Sequence, residues 1–233
     1  GFEDVDRFLN PEFEDVGHYN DIPNMSEALH KVRKLFDVSE KINYLLIVDS
    51  DADGFMSSTI LHNYLHHNGK EWGAKSKAVC HEGKQHGAAD IEKVEDFGFY
   101  DVVFLPDAGT NDTAIYEKYP ETFFVVLDHH ESEDYRPLNN TIVANPHLEG
   151  SNYKNLAISG TGVTWQFCRG WYEEFGIGPD PDTQYDLVTF ATIGDMLNIT
   201  TPENRYFLSR GLNEINNKFL MALVEKQSYS LNG

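Results

Sequence analysis

The sequence predicts an α/β fold in which helices flank a parallel β-sheet and a helical C-terminal layer covers it. Three observations predict it. The apolar runs LLIVD, VVFLPD and FFVVLD, closing at Asp49, Asp107 and Asp128, have the composition of strands buried on both faces. Segments of helical character separate them, the rhythm of parallel strands joined by right-handed crossovers. After Asn145-Pro146 the strand pattern stops and helical segments take over. With 233 residues, 40% of them hydrophobic, the chain can build one substantial core.

Each element has its own signal. Residues 1–23 are acidic and irregular and read as an arm that packs late or loosely. Met25 to about Lys41 reads as a helix, capped by Asn24 or Ser26, with Leu29, Val32, Leu35 and Phe36 as its apolar stripe. Strand Tyr44–Asp49 runs into an acidic turn, and a helix spans about Phe55 to His67, closed by Asn68-Gly69. Lys75–Cys80 reads as a strand, followed by a Gly- and charge-rich loop and a short helix near Asp90–Phe97. Strand Val102–Leu105, helix Asp112–Tyr119, strand Thr122–Leu127 and a short strand Thr141–Ala144 complete the sheet. Four helices then follow: from Ser159-Gly160 to about Phe175, about Thr183–Met196, about Pro202–Asn216, and roughly Lys218–Gln227.

Charge and cysteine content narrow the function classes. A net charge of -20, from 18 Lys+Arg against 38 Asp+Glu, disfavours purely electrostatic binding to DNA or anionic membranes. It leaves a phosphate substrate open, because divalent cations held among carboxylates reverse the local field. Cys80 and Cys168 form neither a disulfide framework nor a CxxC pair, which points to a reducing cytosol. Cys80 is expected to be a core residue at a strand end. No apolar stretch approaches a membrane span, and no signal peptide opens the chain.

The ends of parallel strands meet at one edge of a sheet, where ligands bind. Here that edge is crowded with carboxylates, which repel unless a proton or a cation lies between them. A metal site is the simplest resolution. In Asp49-Ser-Asp51-Ala-Asp53-Gly54, alternation along an extended strand end lets three carboxylates converge, and Gly54 permits a tight turn into the next helix. An EF-hand loop begins similarly, but here the glycine falls too early and the downstream glutamate is missing. Asp128-His129-His130 sets two imidazoles behind a buried strand, one to ligate metal and one to face substrate, with Asp128 fixing a tautomer. Carboxylates with imidazole suit Mn²⁺, Mg²⁺ or Zn²⁺. Lys84 and His86, in a glycine-flanked loop, are candidate phosphate contacts, as is the Ser159-Gly160 helix start with its free N–H groups. Each also has a structural reading, as a solvated loop and as a close helix contact. The i, i+4 pair His62 and His66 has zinc spacing but no HExxH pattern, which favours a surface or core-edge role.

The segments VDSDADG, PDAG, LDHH and DLVTFATIGDMLNITTPENRYFLSRGL resemble, in order, the four motifs of the DHH-family phosphoesterases. The likeness covers roughly residues 43–217 and is closest to the RecJ-like branch. Asn145-Pro146 and SGTGVTWQFC are similar to the segment before that family's long helix. Ile47, where other DHH branches carry a ligating histidine, fits the RecJ-like branch; Pro-Asp-Ala-Gly departs from the usual Val-Asp-Cys-Gly but keeps its aspartate.

The resemblance implies a two-metal centre, usually manganese with magnesium as the alternative. Asp49, Asp51, Asp53, Asp107, His129 and Asp195 would hold it, with Asp107 as the bridge and His130 facing the reacting phosphate. An Asp within an apolar helix could instead be a satisfied polar residue; the cost of burying it unpaired favours Asp195 as a ligand. Arg205, in the Asn204-Arg205 pair of the last motif, would support Asp195 or its loop, with substrate contact as the lesser alternative. The implied domains are an arm (1–23), a DHH domain (24–217) and a linker-like helix (218–233). The family's C-terminal domain would be absent, so a missing segment or a partner protein would complete the cleft. The implied activity is 5′→3′ hydrolysis of single-stranded DNA, in repair or recombination. Short oligonucleotides, a cyclic nucleotide, or a non-catalytic nucleic-acid-associated subunit are the alternatives.

Overall fold

The computed structural model describes residues 5–38, 42–67, 76–80, 87–95 and 97–226. Its elements are α1 (Val5–Leu9), α2 (Met25–Val38), β1 (Tyr44–Val48), α3 (Ala52–His67), β2 (Ser76–Cys80), β3 (Val102–Pro106), α4 (Thr113–Tyr116), β4 (Phe123–Leu127), β5 (Thr141–Ala144), α5 (Gly160–Phe175), α6 (Tyr185–Gly194), α7 (Pro202–Gly211) and α8 (Lys218–Glu225). The five strands pair in parallel in the order β2-β1-β3-β4-β5. The α/β prediction holds.

Period-two alternation explains why these runs are apolar throughout. Tyr44, Leu46 and Val48 of β1, with Phe104, Val125 and Ile142, face a core built with α2, α3, α5, α6 and α7. Leu45, Ile47, Val103, Leu105, Phe124 and Val126 face the opposite core, closed by Ala88, Ile91, Val94 and Tyr116. A strand buried on both sides leaves no position for a polar residue until it ends.

Strand order also places the functional edge. The chain moves from β1 outward to β2, then returns across β1 to β3, so consecutive connections leave in opposite directions between β1 and β3. Such a switch point opens a crevice beyond the carboxyl ends of the two strands. The residues that follow β1 and β3 there are Asp49 and Asp107.

Several sequence expectations change. The acidic arm is packed: Tyr19 and Ile22 are buried, and Phe13 meets Tyr206 edge-on at 5.8 Å. Apolar residues spaced between the acids give it an anchor on α5 and α7. Helix α3 starts at Ala52, so Asp53 lies in its first turn, where a carboxylate complements the helix dipole. The segment near Asp90 is a 3₁₀ helix, Gly87–Lys93. Cys80 is exposed because β2 is an edge strand. Among the described residues, no helix is long and apolar enough to cross a membrane.

Candidate metal centre

Three turns and a helix end bring the sequence-predicted acids together. Ligand atoms of Asp49, Asp51 and Asp107 lie within 4.8 Å of one another, as do those of Asp107, His129 and His130, and those of Asp53, His129 and Asp195. Asp107 joins the first group to the second, and His129 joins the second to the third. The cluster is continuous.

Asp53 is the most firmly fixed member. Its carboxylate accepts N–H bonds from Gly160 (2.7 Å) and Thr161 (2.7 Å) at the start of α5, and a third bond from the Thr161 hydroxyl at 2.5 Å. The helix start that the sequence offered to a phosphate therefore binds an anion from within the chain. Ser159 caps α5 by accepting from Gly162 N–H, so Ser159 and Gly160 are committed to structure. Gly160 is required by proximity: a Cβ there would stand 2.2 Å from Asp107 Oδ1 and 2.7 Å from Asp107 Cα. Gly54 meets the same constraint, its Cβ falling 2.5 Å from the Asp49 carbonyl oxygen.

Asp107, directly after β3, adopts a left-handed backbone, φ 72°. Burial, then the charges of Asp53, Asp128, Asp51 and Asp195, push its carboxyl well above the usual range. Asp195 is the C-cap of α6 rather than an interior residue; the helix stops because Met196 takes φ 54°. Burial, then Asp53 and Asp51, raise Asp195 to about 7.

The two histidines differ in environment. Burial lowers the pKa of His129, against the charges of Asp53 and Asp128. Its Nε2 stands 3.2 Å from Asp107 Oδ1, 3.5 Å from Asp53 Oδ2 and 3.8 Å from Asp195 Oδ2. His130 Nδ1 lies 2.8 Å from Asp128 Oδ1, and this bond leads the causes that raise His130 to about 9. Asp128 itself is buried, which would raise it. The bond and charge of His130, with a bond from the Thr110 side chain, outweigh burial and hold it below the ordinary carboxylate range.

Asp107 Oδ1 and His129 Nε2 are both buried without a hydrogen-bond partner, a costly state. They face each other at 3.2 Å, close to the roughly 3 Å between adjacent ligands of an octahedral ion with bonds of about 2.1 Å. One divalent cation would satisfy both atoms, and oxygen donors with imidazole suit Mn²⁺, Mg²⁺ or Zn²⁺. The residues present fit a metal.

Other candidates lie elsewhere. The Arg205 guanidinium stacks over Phe8 at 4.6 Å and donates to the Phe8 carbonyl, which orients it toward the N-terminal arm. Its neighbour Asn204 secures the Asp195 loop instead, donating to the Asn198 and Ala157 carbonyls at 2.9 and 2.8 Å. Lys84 and His86 lie outside the described residues. The His62 and His66 rings pack at 4.4 Å on α3, with Tyr44 3.3 Å from His62 Nδ1. Sequence reading missed Thr161 and also Asn145, whose amide bonds Thr110 Oγ1 and the His130 carbonyl. The flanking SGTG and Asn-Pro signals marked both segments without revealing these partners.

Comparison with known proteins gives the family and the fold. Residues 43–194 match the DHH family, N-terminal domain. The whole chain is 32% identical to a Bacillus subtilis (strain 168) protein whose name describes it as an SPbeta prophage-derived single-strand DNA-specific exonuclease. The chain spans 39% of that relative's length. Among solved structures, exonuclease RecJ bound to manganese superposes with a TM-score of 0.69 at 21% identity, covering 83% of this chain and 48% of the other. RecJ from Thermus thermophilus in complex with Mn²⁺ gives 0.71 at 21% identity, covering 90% of this chain and 30% of the other. At these identities the structural likeness speaks for the fold.

Proposed function

The chain belongs to the DHH family, and from that premise we propose that it is the catalytic core of a two-metal phosphodiesterase acting on single-stranded DNA from the 5′ end. The observation that carries the reading is the pair of buried, unpartnered atoms Asp107 Oδ1 and His129 Nε2 within a continuous carboxylate–imidazole cluster. The single-strand preference rests on the name of the 32% identical relative.

Asp49, Asp51, Asp53, Asp107, His129 and Asp195 would hold the metals in this reading. Divalent ions bound there supply Lewis acidity toward a phosphodiester and a water nucleophile at neutral pH; manganese is the preferred ion and magnesium the alternative. The protein's own share is positional and protonic. Thr161 and the α5 N–H groups hold Asp53 in one orientation, and Asn204 holds the loop behind Asp195. His130, kept protonated by Asp128 and half-exposed, donates to a phosphate oxygen and balances the charge that develops there.

Net charge favours a short-strand variant of this reading, because a chain at -20 repels a long polyanion. One digest tests both. The protein with Mn²⁺ is given 5′-phosphorylated single-stranded DNA, the same sequence as RNA, a dinucleotide and a cyclic dinucleotide. Stepwise shortening of the DNA from its 5′ end is expected; turnover of the dinucleotides alone selects the short-substrate reading. No hydrolysis of any of them, with metal shown to be bound, would overturn the enzymatic proposal.

A further inference from the structure

The metal cluster is bordered by apolar side chains that the fold leaves in water. Met196, directly after Asp195, is 90% exposed on a left-handed backbone that L-residues rarely adopt. Ile193 and Ile199 flank the same loop and are exposed. Phe55, two residues beyond Asp53 on α3, is exposed as well. These segments adjoin: a Cβ on Gly194 would stand 2.8 Å from Ala52 Cβ. An aromatic ring, two branched aliphatics and a thioether thus sit on the two segments that carry Asp53 and Asp195.

The chain's arginines are committed in ways that give this rim significance. All six arginines are engaged internally. Arg7, Arg33, Arg136 and Arg169 pair with Asp15, Asp37, Glu117 and Glu173, while Arg205 and Arg210 lie over Phe8 and Tyr206. Gripping a strand by its phosphates relies on lysine and arginine to neutralise them. Base stacking on apolar and aromatic side chains is the other general source of affinity for single strands, and it does not depend on charge.

We propose that Phe55, Ile193, Met196 and Ile199 form a platform for the nucleobase next to the phosphate under attack, so that this site grips its substrate by base rather than by backbone. The inference rests on the phosphodiesterase reading above and specifies its substrate as a base-bearing nucleotide strand.

The test compares two 5′-phosphorylated oligothymidylates, one unmodified and one with its two 5′-terminal bases removed, in Mn²⁺. Wild type should prefer the base-bearing strand, and Phe55→Ser with Met196→Ser should reduce that preference in kcat/KM about tenfold. Phe55→Tyr and Met196→Leu should restore it, since they keep a ring face and an apolar chain. Equal losses on both strands, or no preference in the wild type, would overturn the platform while leaving the hydrolase reading intact. Cleavage of neither strand by the wild type would overturn the strand-hydrolysing reading, and the platform with it. Thermal melts and manganese binding by each variant guard against a folding or metal defect, which a base-specific loss would not show.

Discussion

Replacing Asp107 with asparagine should stabilise the metal-free protein and remove its metal-dependent stabilisation. Without metal, the buried Asp107 carboxyl is either a repelled charge or a proton bound far from its ordinary range. Asparagine keeps the shape, removes the charge and tolerates φ 72°, which alanine would not. Within the Asp49–Asp51–Asp107 group the ligand atoms lie no more than 4.8 Å apart. At that separation, two unit charges repel by about 3.5 kcal/mol at an effective dielectric of about 20. Partial protonation lowers the gain to about 2 kcal/mol, or a Tm rise of about 4–8 °C for a chain of this size. Manganese reverses the order, because a ligand at a hundredfold excess over its Kd stabilises the wild type by about 2.7 kcal/mol. Urea titrations followed by the fluorescence of buried Trp165 and Trp171, in EDTA and in manganese, measure both terms. A variant less stable than wild type in EDTA would refute the repulsion argument. Equal metal increments in the two proteins would refute Asp107 as a ligand.

Gly160→Ala should weaken manganese binding at least about tenfold, because its methyl group displaces either Asp107 or the start of α5; unchanged affinity in calorimetry would show that the contact yields freely. Thr161→Val removes a hydroxyl bond to Asp53 and should cost about 1.5–3 kcal/mol in metal-free urea stability, the value of a hydrogen bond to a charge; a neutral result would mean the N–H groups suffice alone. The Asp128–His130 pair predicts a pH profile. His130 is raised from 6.5 to about 9, so its contribution is complete below pH 6.5 and lost as pH rises through 9; Asp128, depressed, contributes above its ordinary value and loses that in acid. Because the His130 side chain is half-exposed, screening limits its term to about 1 kcal/mol. Metal-free stability should therefore decline more between pH 6.5 and 9 in the wild type than in His130→Ala, where the raised Asp107 and Asp195 carboxyls still titrate but the imidazole does not, and an equal or smaller decline in the wild type would contradict the assignment.

Legibility in the sequence followed the range of the interaction. Asp49, Asp107 and Asp128 could be read because a strand buried on both faces carries no polar residue until it ends, so the first acid marks the sheet edge. The order of β1, β2 and β3, which makes that edge a crevice, came from the structure. The partner of Asp53 was hidden for a different reason: no local pattern says that α5 docks its first turn on α3. Asp195 was recognisable by resemblance, but its place at the end of α6 depends on the left-handed turn at Met196, a conformation the residue type argues against. Asn204 and Arg205 show the limit of a motif. Adjacent on α7, they point to different neighbours, and the asparagine, not the arginine, holds the Asp195 loop.

The bonds from the start of α5 to Asp53 bear on how the protein folds. They join residues 107 and 108 positions apart, and the cluster they complete extends from Asp49 to Asp195. A chain released before Asp195 lacks one of its acids, and a chain with a native sheet but an undocked α5 has Asp53 unanchored. Long-range closures of this kind form late, since their entropy cost comes before their reward. Manganese uptake during refolding would then follow the last stage of assembly rather than the collapse of the sheet, making the metal a kinetic marker of completed topology.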